Sequence, residues 1–280
     1  MSTGNPDTFN TMDVRPQDQP QPENYKVFSM TANPAGFPIG LTWLDIDGRS
    51  DIRINAFVET VTPDQVKIHL DTSPGSVLYS AGCTWLTTYA NDPYFQFGEF
   101  STMDDHPSDK PQAQTSRKIT FPKPFRGDPP NVIVWLNEFH MSNGANWRCK
   151  AYVTDITADS FVIHINAWAS TTLYSARASW IAYPYNSPNI ASGSFNTMDV
   201  RPWYIPRKKN KGSAEFHRTF ESIPRVFAAV NWLDIANRKN LRLKLEIGDV
   251  SAKGLNWHLD TWGDAVLYSA GASYVAILDL

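Results

Sequence analysis

Three arginines interrupt alternating apolar segments at matching places: Arg53, Arg148 and Arg242. A mid-strand arginine gives up apolar area. Its planar fork of five donors suits vicinal hydroxyls and a neighbouring carboxylate. The plainer reading, an exposed residue on a polar strand face, fits the same pattern. Trp168 and Trp262 each stand six residues before a tyrosine, Tyr174 and Tyr268; the first segment has Ser73 at that place, ahead of Tyr79. A tryptophan in a loop is a platform for the C–H face of a sugar, because it offers apolar area at low entropy. The strand tryptophans Trp43, Trp85, Trp135, Trp180 and Trp232 read as core.

A second series is His69, His164 and His258. Each lies two residues before Asp71, Asn166 or Asp260, on the same strand face. Three imidazoles converging on a threefold axis would make a zinc site; strand histidines in ordinary hydrogen bonds are the plainer reading, and no metal or other cofactor is expected. No Gly-x-Ser-x-Gly elbow is present. Paired carboxylates for glycoside hydrolysis stay open, but one active site does not call for three equal modules. The chain therefore reads as a non-enzyme.

The elements that must position these residues occur three times. Phe9-Asn10-Thr11-Met12-Asp13 recurs as Phe100-Ser101-Thr102-Met103-Asp104 and Phe195-Asn196-Thr197-Met198-Asp199, and Val14-Arg15-Pro16 returns as Val200-Arg201-Pro202. Trp43-Leu44-Asp45 aligns with Trp135-Leu136-Asn137 and Trp232-Leu233-Asp234. Leu78-Tyr79-Ser80-Ala81 recurs at Leu173-Tyr174-Ser175-Ala176 and Leu267-Tyr268-Ser269-Ala270. Landmarks in one order, three times over, mean arrayed modules. Short Pro- and Asn-rich breaks set the boundaries at residues 1–91, 92–187 and 188–280. Within each copy the period is two, in runs bounded by Pro, Asp, Gly or Ser. The expected class is all-β: three tandem six-stranded antiparallel β-sandwich modules, folded back as an intramolecular pseudo-trimer.

Charge and cysteine narrow the partners. A net charge of −3 gives no global basic field for nucleic acid, and the run Arg207-Lys208-Lys209 with Lys211 reads as a solvated loop. No apolar run is long enough to span a bilayer, so no membrane insertion is expected. Cys83 and Cys149 fall at non-equivalent places, which predicts two free thiols and a reducing compartment. The first ten residues lack the apolar core of a secretory signal. The expected location is the cytoplasm, or release without a classical signal peptide.

The ordered set of Arg strand, His-x-Asp/Asn strand, Trp loop and closing Leu-Tyr-Ser-Ala-x-Ala-Ser-Trp resembles the H-type lectin domain, the snail agglutinin and discoidin C-terminal type. The resemblance covers the chain three times, and copy two fits the closing pattern best. It implies trimeric six-stranded sandwiches that bind N-acetylgalactosamine or galactose, without a metal, in shallow clefts between neighbours. It assigns the sugar-gripping arginine to Arg53, Arg148 and Arg242. The aromatic contacts from the adjacent module fall to Trp168, Trp262, Tyr79, Tyr174 and Tyr268. The acidic residue of the N-terminal loop falls to Asp18 and Asp109, with only Lys209-Asn210-Lys211 offered by copy three. The family's histidine after the tryptophan is replaced by Ala169 and Gly263. The expected function is multivalent binding, and agglutination, of terminal N-acetylgalactosamine/galactose glycans; higher oligomers are left open. The alternative is a non-catalytic structural or protein-interaction scaffold.

Overall fold

The computed structural model describes residues 7–30, 34–89 and 94–278. Copy one supplies β1 (Thr8–Asn10), β2 (Tyr25–Ser29), β3 (Pro34–Gly36), β4 (Ile39–Ile46), β5 (Ile52–Thr62), β6 (Gln65–Asp71), β7 (Leu78–Trp85) and β8 (Thr88–Tyr89). Copy two supplies β9 (Gln96–Ser101), β10 (Gln114–Thr120), β11 (Asn131–Met141), β12 (Trp147–Thr154), β13 (Ser160–Asn166) and β14 (Leu173–Tyr183). Copy three supplies β15 (Ile190–Asn196), β16 (Lys211–Glu215), β17 (Arg225–Ile235), β18 (Leu241–Gly248), β19 (Gly254–Asp260) and β20 (Leu267–Ile277). The period-two pattern dictates the faces. Ile52, Ile54 and Ala56 are buried in β5, as are Leu241, Leu243 and Leu245 in β18, while the residues between them look outward.

Each copy splits its strands between two sheets, and every six-stranded sheet is shared by two copies. The orders are β2-β6-β5-β11-β14-β9, β10-β13-β12-β17-β20-β15 and β1-β7-β4-β18-β19-β16; β3 and β8 form a small separate pair. Copy one meets copy two through antiparallel β5 and β11. Copy two meets copy three through β12 and β17. Copy three returns to copy one through β18 and β4. Backbone pairing therefore passes round all three copies and closes.

Where the copies meet, a second apolar cluster forms around Trp135, with Leu86 from copy one, Ile181 from copy two, and Ala229 and Val275 from copy three. Trp135 is fully buried, and its indole N–H donates to the Ser273 carbonyl at 3.0 Å. Gly40 lies against it: a Cβ there would come within 2.3 Å of the Ala229 Cβ and 2.6 Å of the Trp135 Cβ. The backbones of three copies approach so closely that one position must be glycine.

The repeated Phe-Asn/Ser-Thr-Met-Asp motif is a cap. Asn10, Ser101 and Asn196 each open a short 3-10 turn and accept from the backbone two residues on, while Asp13, Asp104 and Asp199 reach back to the capping residue's N–H. The buried threonines tie this turn to the closing strand. Thr11 accepts from Ala81 N–H, Thr102 from Ala176 and Thr197 from Ala270, at 3.0 to 3.1 Å. The preceding phenylalanines Phe9, Phe100 and Phe195 anchor the turn in the core.

Arg15 and Arg201 pin the loop that follows. Arg201 donates to the Leu267 and Tyr268 carbonyls at 3.0 and 2.7 Å and to the Asn210 side chain; Arg15 does the same with Leu78, Tyr79 and Asn24. In copy two His106 stands there and bonds Thr115. Burial pulls both guanidinium pKa values down, since their partners are neutral acceptors. Arg201→Ala is expected to cost about 3 kcal/mol, because it strands several buried acceptors at once. Urea unfolding checks this, and a loss below about 0.5 kcal/mol would show that the clamp is not structural.

Cys83 and Cys149 are free, as their non-equivalent places predict, and both are buried. Burial pushes the Cys149 thiol up to about 12 and the Cys83 thiol up as well. Neither offers a thiolate nucleophile at neutral pH.

Candidate functional site

Each boundary between copies places its arginine opposite a residue of the next copy. At the β12–β17 boundary Arg148 pairs in register with Asp234. Its Nε lies 3.2 Å from Asp234 Oδ1, and both side chains are largely buried. That oxygen lacks an aligned hydrogen-bond donor. Burial raises the Asp234 carboxyl above the ordinary range, with Arg148 pulling it back only in part. Beside this pair Trp168 meets Trp232 with ring centroids 5.2 Å apart. Arg148, Trp168, Trp232, Asp234 and Ser269 line one cleft of about 300 Å³, joined by Met198 and Trp203 from the N-terminal loop of copy three.

The β18–β4 boundary repeats the design. Arg242 is in register with Asp45, with Nε 3.2 Å from Oδ1. Asp45 also accepts from Gln17 at 2.9 Å and Asn240 at 3.3 Å. Burial again raises its carboxyl, opposed by Arg242. Trp262 meets Trp43 with centroids 4.9 Å apart. At both boundaries the strand tryptophan donates its indole N–H at 2.8 Å to the closing-strand serine, Trp43 to Ser80 and Trp232 to Ser269. Lys244 lies over Trp43 and Lys150 over Trp232. Gly263, at φ 62°, lets the loop backbone reach Arg242; a Cβ there would meet its NH1 at 2.4 Å.

The β5–β11 boundary departs from this. Arg53 faces His140, and Glu138 occupies the place of Trp43 and Trp232. Arg53 is held by Asp51 at 3.8 Å, and the loop tryptophan is replaced by Ser73. His140 lies against Tyr174, and its pKa is lowered by burial and then by Arg53. Glu138 pairs with Arg177 at 2.8 Å. This cleft of about 290 Å³ mixes polar side chains with Ile54, Phe57 and Phe139 and lacks the tryptophan pair.

The register corrects two sequence readings. Trp135 is not the equivalent of Trp43 and Trp232. On the closing strands Trp43 pairs with Gly82, Trp232 with Gly271, and Glu138 with Arg177, whereas Trp135 pairs with Ser179 just as Gly40 pairs with Thr84. A bulge follows Leu136, Leu41 and Val230 alike. Trp43 and Trp232 are also not core: both are half-buried cleft walls, while Trp85, Trp135 and Trp180 are buried.

The sequence profile of the H-type lectin domain matches residues 38–88, 116–183 and 213–277, well over half of the chain. The chain belongs to the H-type lectin domain family. No curated protein matches it. Among solved structures, the native structure of recombinant discoidin II of Dictyostelium discoideum aligns with 91% of this chain and 82% of its own at 13% identity, with a TM-score of 0.27. At that score the superposition is poor, and the family assignment rests on the three matched segments.

H-type lectin domains are carbohydrate-binding, so the chain is a lectin in the general sense. Within this lectin Trp168 and Trp262 come from the same copy as their arginine, not from its neighbour as expected. The neighbour supplies Trp232 or Trp43 instead. Tyr79 donates to Asp47 at 3.1 Å, Tyr174 packs on His140, and Tyr268 packs edge-on to Trp203. Asp18 and Asp109 are exposed, and no hydrogen bond or ion pair joins either to a cleft arginine; the loop residue that reaches the arginine's partner is Gln17. The histidines do not converge. His69, His164 and His258 sit on β6, β13 and β19, in three different sheets. His69 stacks on Phe57 and His164 on Tyr152. Among the described residues no group of three His, Cys, Asp or Glu side chains is placed to hold a metal. Asp71, Asn166 and Asp260 accept backbone N–H groups of the N-terminal segments, a structural task.

Proposed function

We propose that this lectin binds terminal galactose- or N-acetylgalactosamine-type sugars at the Arg148 and Arg242 clefts, and that the Arg53 cleft is not equivalent to them. The observation that carries the reading is the shared constellation. A buried Arg–Asp pair straddles the copy boundary beside two tryptophans, one from each copy. A guanidinium and a carboxylate side by side offer donors and acceptors to vicinal hydroxyls. The indole faces offer apolar area to the sugar's C–H groups. At Arg53 the place of the strand tryptophan is taken by Glu138 and that of the loop tryptophan by Ser73, so that platform is missing. Shallow sites bind monosaccharides weakly, and two on one rigid body raise avidity for clustered glycans.

The scaffold reading has one observation in its favour: the same Arg–Asp pairs tie adjacent copies together. A glycan array, with titration of galactose and N-acetylgalactosamine alongside, separates the two. Binding to glycans ending in these sugars supports the lectin clefts. Silence at high protein concentration would leave the ion pairs as rivets only.

The raised carboxyls set a pH signature. Binding needs the ionised acceptor, so it is expected to weaken as pH falls through the elevated Asp45 and Asp234 pKa values, above the ordinary aspartate range. The stability sign is opposite. A carboxyl raised on folding contributes stability that is full below its unfolded pKa and lost as pH rises through the folded value. Titrations from neutral to mildly acidic pH should therefore show affinity falling while this contribution to stability grows. Flat affinity down to the ordinary aspartate range would remove the carboxylates from the site.

A further inference from the structure

We infer that the Arg148 cleft carries a second subsite, walled by Trp203, that takes the group joined to the anomeric carbon of the bound sugar: a second sugar residue or an apolar aglycone. This rests on the lectin reading of that cleft. The three N-terminal loops share one turn: Arg15, His106 and Arg201 are each followed by proline, whose carbonyl accepts from the N–H three residues on, that of Gln19, Lys110 or Ile205. The residue after that proline is Gln17 in copy one, Ser108 in copy two and Trp203 in copy three. Gln17 bends into the Arg242 cleft and donates to Asp45. Trp203 instead sets an indole wall in the same cleft as Arg148, Trp168 and Trp232.

Its exposure and its stiffness both point to a ligand. Trp203 is 55% exposed, although it borders a cleft already holding two tryptophans. Exposed indole on a mobile loop would have no defined partner. This loop is fixed by the buried Arg201 clamp, and Trp203 packs edge-on to Tyr204 at 5.8 Å and Tyr268 at 6.4 Å. A terminal sugar is always attached through its anomeric carbon, and with its hydroxyls on the Arg–Asp pair the proposed subsite sets that carbon toward the Trp203 wall. A flat apolar wall favours a C–H face or an aromatic ring. The Arg242 cleft, with an amide at that place, offers no such surface.

The test compares methyl and phenyl galactosides, in both anomers, by calorimetric titration of the full chain and of Trp203→Gln, Trp203→Phe and Gln17→Trp. The unaltered protein should prefer the phenyl glycoside by roughly tenfold. Trp203→Gln should bring that ratio near one, Trp203→Phe should keep part of it, and Gln17→Trp should add a second aryl-preferring site. No phenyl preference, or a preference that survives Trp203→Gln, overturns the subsite while methyl galactoside binding still upholds the lectin clefts. Binding of neither the galactosides nor the matching methyl and phenyl N-acetylgalactosaminides to the unaltered protein overturns the parent reading and the subsite with it.

Discussion

Trp135→Ala is expected to destabilise the chain by about 3–5 kcal/mol, the range for deleting a fully buried large aromatic. Trp135 fills the junction where all three copies meet, and no other side chain in that cluster has its volume. The substitution also strands the Ser273 carbonyl that the indole N–H satisfies. Gly40→Ala is the opposite change at the same junction and should cost about 3 kcal/mol by overpacking. The added methyl would meet two Cβ atoms, and a Cβ has no rotamer by which to withdraw. Denaturant midpoints at constant slope measure both effects. Losses below about 1 kcal/mol in both variants would mean that the junction relaxes freely, and the close-packed axis would be wrong.

Joint removal of the arginines from the two tryptophan clefts, Arg148→Ala with Arg242→Ala, should weaken binding of galactose-type glycans by roughly 100-fold or more. That equals about 2.7 kcal/mol, the scale of one or two hydrogen bonds to a charged group. Arg53→Ala should change it less than about twofold, since Arg53 faces His140 and no tryptophan pair. Melting curves accompany the titrations, because Asp234 loses its ion-pair partner; Asp45 keeps Gln17 and Asn240. Equal losses from all three arginines would restore a threefold set of sites. Unchanged glycan binding with lowered melting temperature would assign the arginines to holding the copies together.

The architecture was legible because its signals are local and repeated. Caps such as Asn196 with Asp199 and the threonine tie to the closing strand demand fixed residues at fixed spacing, so they survive as visible motifs. The clefts were half legible. Arg53, Arg148 and Arg242 stand out as charges in apolar strands, but their partners lie across copy boundaries, where no sequence period points. The slip at Trp135 has a specific cause. In a regular strand an offset of three residues reverses the face; the bulge after Leu136 absorbs one residue, so Trp135 and Glu138 share a face and the error leaves no mark in the pattern. Trp43 and Trp232 were misread because strand tryptophans are usually interior, and only the neighbouring copy reveals the groove they border.

Gly40, Trp135 and Ala229 meet at one point on the ring. Three separate identical chains would have to place the same residue there three times: three tryptophans would collide, and three glycines would leave a void. Tethering the copies in one polypeptide releases that point from symmetry, so a large residue can be matched by two small ones. The same release lets one groove be lined by Trp203, a second by Gln17 and a third by Glu138. A single gene thus encodes a ring whose faces can specialise one at a time, at the cost that each axial residue is irreplaceable by its own repeats.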